Sequence, residues 1–150
     1  MKEDLTHKLE RENLKIASFT KRMVAYIIDN LILSCIVFVI FYDKFAIATD
    51  LSGIDNILRD FVFGSFLLHF SYHTLFTFIY GASLGKMLCK IIILDENLLD
   101  KPTFLQSCIR AFVRELSSMA FMLGFVWALG NNLRKTWQDY AARTIVIDVA

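Results

Sequence analysis

The residues Met23–Tyr42, MVAYIIDNLILSCIVFVIFY, form an apolar run of 20 positions in which Asp29 is the one acidic or basic side chain. As a helix this run is about 30 Å long, the thickness of a bilayer's hydrocarbon core. It reads as a transmembrane helix and uncleaved anchor. The whole chain agrees with that solvent: 56% of its residues are hydrophobic, against about 45–50% in an average soluble domain. Fourteen Phe and one Pro fit the same class. A formal charge of +1 argues against a nucleic-acid partner and against an acidic disordered tail. Cys35, Cys89 and Cys108 are too scattered for a disulfide framework or a zinc cluster and read as free thiols.

Residues 1–22 are polar, with six Lys/Arg, and are too long and too acidic for the n-region of a cleaved signal, so they read as a cytoplasmic tail. Residues 23–147 are then the membrane domain and 148–150 a short end. After an acidic connection, Asp43–Asp60, a second span runs from Phe61 to Tyr80. Its His69, Ser71, Tyr72, His73 and Thr74 imply one face turned to protein rather than lipid. A third apolar stretch, Leu116–Gly130, has 15 residues. That is short of the roughly 20 needed to cross, so it is a short or re-entrant piece, or one broken at Gly124. The expected fold is therefore an all-α membrane protein with two clear spans and a third short segment. A small cytoplasmic element of two strands, Ile91–Leu94 and Thr144–Ile147, accompanies them.

Lys and Arg number six before the first span, two in the connection, five in Gly81–Glu115 and three in the final tail. The positive-inside rule puts the first and third of these segments in the cytoplasm. Strand pairing then requires the last tail to be there too, which three full crossings would forbid.

Asp29 is the most informative residue. A carboxylate inside a spanning helix costs roughly 2.5–3.5 kcal/mol on insertion scales, and it marks a functional site by default. It lies about 9 Å into the helix, and Arg22, seven positions earlier, is within about 20° of the same face. Two readings stay open: an ion or proton site whose partner is Arg22, Arg110 or Arg114, or a helix-packing contact. Arg110 and Arg114, four apart, share a face of the helix that Pro102 opens. His69 and His73 have metal-compatible spacing but no third ligand, so hydrogen bonding is the expected role. Gly81-Ala-Ser-Leu-Gly85-Lys86 lacks the spacing of a phosphate loop. It reads instead as a helix stop, with Ser83 capping and Lys86 at the headgroups. No catalytic triad or carboxylate pair has a recognisable motif, so no enzyme, metal or cofactor is expected.

FTKRMVAYIID, YGASLGKMLCKIIILDE and QDYAARTIVI, in this order and spacing, resemble the RDD family of small membrane proteins over Phe19–Ile147. The resemblance maps the family's arginine and two aspartates onto Arg22, Asp29 and Asp139. It also matches Gly81, Ser83, Gly85 and Lys86 to a Gly-x-Thr-x-Gly-Lys segment, with serine for threonine, and Arg114 to the arginine before the last apolar stretch. Arg143 departs from the pattern, because a glycine often stands there. The resemblance implies a bacterial cytoplasmic (inner) membrane location. It also implies transport of an ion or small solute, sodium/proton antiport in some members. Arg22, Asp29 and Asp139, with Arg114, would cluster near the cytoplasmic end. Two or three helices seldom enclose a path alone, so a homo-oligomer or larger membrane complex is expected. The competing function is a non-transporting accessory or assembly subunit, in which the same residues lock the fold.

Overall fold

The structure, a computed structural model, describes residues 2–47, 51–120 and 123–149. Residues 48–50 of the acidic connection, 121–122 of the third apolar stretch and the terminal residue 150 lie outside the described residues.

Among the described residues, two helices are long and apolar enough to cross a membrane: α2, Phe19–Ile47, and α3, Leu51–Tyr80. Both are longer than the apolar runs that announce them, because residues 43–47 and 51–60 of the expected connection are helical. At 1.5 Å per residue they reach about 43–45 Å, well past a 30 Å hydrocarbon core. The excess carries the charges of the far end, with Lys44 3.9 Å from Asp60 and Arg59 3.6 Å from Asp55.

Each helix buries one stripe and leaves the rest apolar and exposed. On α2 the buried residues are Arg22, Ala25, Asp29, Leu33, Val37 and Phe41, at spacings of three and four that trace one helical face. Ile27, Leu31, Phe38, Val39 and Ile40 face outward, as a lipid-facing surface requires. At the far end Gly64 lets α3 approach the Phe41 ring, and Phe61 meets Phe41 edge-on at 5.4 Å.

At the other end the chain folds into a small cap. The sheet has three strands where two were expected: β1 (Lys15–Ile16), β2 (Ile91–Asp95) and β3 (Thr144–Asp148), in the order β1-β3-β2 and antiparallel throughout. The expected pair is present, with Ile92 opposite Ile147 and Leu94 opposite Ile145. β1 has no signature in the sequence, because two residues carry no alternating pattern. The sheet brings residues 15–16, 91–95 and 144–148 to one end of the α2–α3 pair, so the final tail lies beside the first.

Alternation sorts the sheet's faces. Ile91, Ile93 and Val146 pack on Ala17 and Ala25 at the start of α2. Leu94, Ile145 and Ile147 pack on Leu5, Leu9 and Leu133. Leu5 and Leu9 belong to α1 (Lys2–Arg11), so the segment read as a polar tail includes a helix that covers the sheet. Its four-residue leucine spacing is a single hydrophobic step within an otherwise charged decapeptide.

The remaining elements connect these layers. α4 (Leu84–Leu88) follows the turn at Gly81, whose φ of +71° favours glycine. α5 (Phe104–Met119) begins at Thr103, capped reciprocally with Gln106, with Pro102 just outside. It packs on α3 and α7 (Trp137–Ala142), burying Ser107, Arg110, Ala111, Arg114 and Ser117. The third apolar stretch is not one helix: α5 ends at Met119, and Leu123–Val126 forms the short α6, followed by a tight turn, Trp127–Gly130.

Candidate functional site

Polar side chains converge where the sheet-bearing end of α2 and α3 meets α4, α5 and α7, and they form two separate networks. The first surrounds Asp139, which is fully buried on α7. Arg22 Nη1 donates to its Oδ2 at 3.0 Å and Arg110 Nη1 to its Oδ1 at 2.5 Å. The Thr136 N–H also donates to Oδ2, at 2.9 Å. Arg22 continues to the carbonyls of Arg134 (2.6 Å) and Val146 (3.1 Å), and Arg110 to the Thr144 hydroxyl. A single carboxylate thus ties α2, α5, α7 and β3 together. Burial acts to raise its pKa, but the two guanidiniums and the Thr136 N–H outweigh it and hold the carboxyl down at about 2.

The second network surrounds Asp29, also fully buried. Its Oδ1 accepts from the Tyr72 hydroxyl and the Gly85 N–H, each at 2.8 Å, and its Oδ2 accepts from the Ser83 hydroxyl at 2.6 Å. The Tyr72 oxygen accepts in turn from the Leu84 N–H at 3.0 Å. Asp29 therefore caps α4 from across the helix interface. Ser83 stands at the N-cap position but makes no capping bond of its own, contrary to the expectation, because its hydroxyl is turned to Asp29. Gly85 makes this approach possible: a Cβ there would stand 2.2 Å from the Ala25 carbonyl oxygen and 3.0 Å from the Asp29 carboxylate.

The four expected site residues are all buried in this region, but not as one cluster. Arg22 joins Asp139, whereas Asp29 takes neutral donors. Arg114 is ion-paired to neither carboxylate; its guanidinium lies over the Tyr26 ring, 4.6 Å from the centroid. Arg110, expected as one possible partner of Asp29, pairs with Asp139 instead. Ser83 and Gly85, which stand in the segment matched to the family pattern, donate to Asp29, and Tyr72 and Thr144 complete the networks without having been singled out for them.

Between the networks lies a small chamber lined by His73, Thr77, Lys86, Arg110, Arg114 and Gln138. Lys86 faces this chamber rather than the headgroup region expected of it. Nη2 of Arg114 and Nε2 of His73 are buried there without a hydrogen-bond partner. His69, one turn before His73, has its Nδ1 2.8 Å from the Ser65 carbonyl oxygen, and among the described residues no three His, Cys, Asp or Glu converge as a metal site would need. All three cysteines are free.

Comparison with curated proteins and with solved structures gives no significant match. The RDD family model matches residues 16–143, which take in both spans, both buried aspartates with their arginines, and β2, and end just before β3; the chain belongs to the RDD family.

Proposed function

We propose that this membrane protein transports an ion or small solute across a bacterial cytoplasmic (inner) membrane as a homo-oligomer, with its sheet-bearing end and N-terminus in the cytoplasm. The observation that carries this reading is the polar interior at the base of the two spans. Arg22, Asp29, Arg110, Arg114 and Asp139 are all buried there, far more charge than packing two apolar helices needs. The orientation follows from charge. All but Lys44 and Arg59 of the sixteen lysines and arginines belong to segments at the sheet-bearing end, the distribution that the positive-inside rule assigns to the cytoplasm. A homo-oligomer is part of this reading because the described spans enclose no continuous path by themselves, and part of the exposed apolar surface of α2 and α3 would then serve as the contact between protomers.

Within this reading Asp29 acts through its acceptor geometry, holding α4 in place beneath α2. The test is flux in vesicles reconstituted with the purified protein, under imposed proton and sodium gradients. Flux is expected in the wild type and its loss in Asp29→Asn, whose side-chain nitrogen cannot accept what a carboxylate oxygen accepts. Flux unchanged in Asp29→Asn removes Asp29 from the mechanism. The absence of flux in the wild type removes transport.

A second reading has an observation in its favour. Asp29 and Asp139 have their oxygens occupied by donors from the chain itself, as residues that only lock a fold would. A non-transporting accessory subunit of a membrane complex fits that state, and its sign would be stoichiometric recovery of one partner after mild solubilisation.

A further inference from the structure

The charges of the polar interior do not balance. Arg22, Arg110, Arg114 and the half-buried Lys86 face two carboxylates, Asp29 and Asp139, leaving an excess of two positive charges. Asp139 is shared by Arg22 and Arg110. Among the described residues, no carboxylate lies within ion-pairing distance of Arg114 or Lys86. Glu115, the residue after Arg114, is half-buried and outside ion-pairing distance of it; counted as a charge it reduces the excess to one. Unpaired charge buried away from water is expensive, so either a counter-ion arrives or a proton leaves.

The chamber is shaped for the first outcome. Its polar lining consists of His73, Thr77, Lys86, Arg110, Arg114 and Gln138, with no acidic side chain, so it offers donors and repels cations. Arg114 is 7% exposed and His73 4%, and each presents an unpartnered nitrogen. Tyr26 holds the Arg114 guanidinium from one side. The free space among these groups is ≈ 10 Å³, about what one ordered water needs, so a monatomic anion is seated with small outward shifts of the lining side chains and a polyatomic one only with larger shifts.

We propose that this chamber binds a single small monovalent anion of chloride size, held by Arg114, Lys86 and His73 between α3, α4 and α5. The site stands on the chamber and its charge alone, and it exists whether or not the protein transports anything. Its anion neutralises part of the excess charge and so couples α4 and α5 to the end of α3. Burial, and then the guanidiniums of Arg110 and Arg114, push the Lys86 ammonium well below the ordinary lysine range. An anion beside the ammonium opposes that shift.

The test uses the full-length protein in detergent. Thermal unfolding is followed while sodium chloride replaces sodium gluconate at constant ionic strength, and ³⁵Cl NMR line broadening reports chloride exchange directly. The expected result is a saturable rise in Tm, of the order of 5–10 °C at a hundredfold excess over Kd. Bromide should reproduce the rise and sulfate should not, and the line broadening should be displaced by bromide. Arg114→Gln and Lys86→Met are each expected to abolish the chloride-dependent part. Lys86→Met is further expected to unfold at a higher temperature than the wild type in gluconate, because it removes an uncompensated charge, so loss of binding there cannot be misfolding. A wild-type Tm indifferent to chloride, or one that depends on ionic strength alone, overturns the proposal. So does a gluconate-state Tm that rises with pH to the chloride value, which means deprotonated Lys86 balances the chamber. Chloride binding without flux in vesicles removes the transport reading and leaves the site. Flux without chloride binding does the reverse.

Discussion

Asp139 is held by two guanidiniums that have no other carboxylate within ion-pairing distance among the described residues, so its charge state governs three buried groups at once. Its folded pKa of about 2 lies below the roughly 3.9 of an unfolded aspartate. The stability gained from that depression is therefore present above the unfolded value and is lost as pH falls through the folded one. Unfolding followed from pH 6 to pH 2 should show a decline of about 2 kcal/mol attributable to this group. Asp139→Asn should lack that component and should unfold lower at neutral pH. It leaves Arg22 and Arg110 buried without a counter-charge, a cost of about 3–5 kcal/mol. Arg143 makes the opposite case. It closes α7 in the left-handed conformation, at φ 51° and ψ 55°, with its side chain exposed. That left-handed backbone suits the glycine of the family pattern from which Arg143 departs, and an arginine there carries local strain. Arg143→Gly should stabilise by about 1 kcal/mol, or about 2–4 °C in Tm. The residues that matter were legible one by one, since a buried Asp29 and an inward Arg22 follow from hydropathy and helical period. Their partners were not. Arg22 and Asp29 share a stripe of α2 but are two turns apart, and that distance is enough for one to meet α7 and β3 and the other α3 and α4.

At the scale of elements, α4 shows how a five-residue helix holds a fixed place. Its first N–H groups have no partners within the helix; one is taken by Asp29 and one by Tyr72, both from spanning helices. Contact this close needs a residue without a Cβ at position 85. Gly85→Ala should therefore force α4 away from Ala25 and strip Asp29 of a donor, destabilising by about 1–3 kcal/mol or more. Gly53→Ala, where an added Cβ meets nothing within 4 Å, should be neutral or slightly stabilising, as alanine is in a helix. Equal effects of the two substitutions on detergent-state Tm would mean that close contact is not what fixes α4. The spans and the β2–β3 pair were readable because each is an apolar or β-branched run long enough to stand out, and the start of α5 because Pro102 marks it. α1 and β1 were not, because two leucines and a two-residue strand acquire meaning only from the sheet they join. The break considered at Gly124 falls earlier, after Met119, and Gly124 lies inside α6. Gly124 on α6 packs against Ser117 and Trp137, and a Cβ there would stand 2.5 Å from the Ser117 hydroxyl, so the apolar stretch folds back on α5 instead of running on.

For the whole molecule, the sheet decides what the helices alone leave open. Lys15 pairs with Asp148 and Ile91 with Asp148 in register, while Lys21 Nζ donates to the Asp148 carboxylate at 2.6 and 2.8 Å. The beginning, middle and end of the chain therefore meet on one side, and a third crossing between β2 and β3 would pull this contact apart. Single cysteines at Asp55 and Val149, in a background lacking Cys35, Cys89 and Cys108, convert that geometry into a measurement. With a membrane-impermeant thiol reagent on intact cells, Asp55→Cys should react at once, and Val149→Cys only after the membrane is permeabilised. Reaction of both in intact cells would place the ends on opposite sides of the membrane. It would separate β3 from β1 and Asp139 from Arg22, and with them the polar interior from which both transport and anion binding are argued. Reaction of Val149→Cys alone would keep the fold and invert it, putting almost all of the chain's positive charge outside against the positive-inside rule. The fold, the charge distribution and the site therefore depend on a single labelling pattern, in which the loop end is open to the reagent and the sheet end is closed to it.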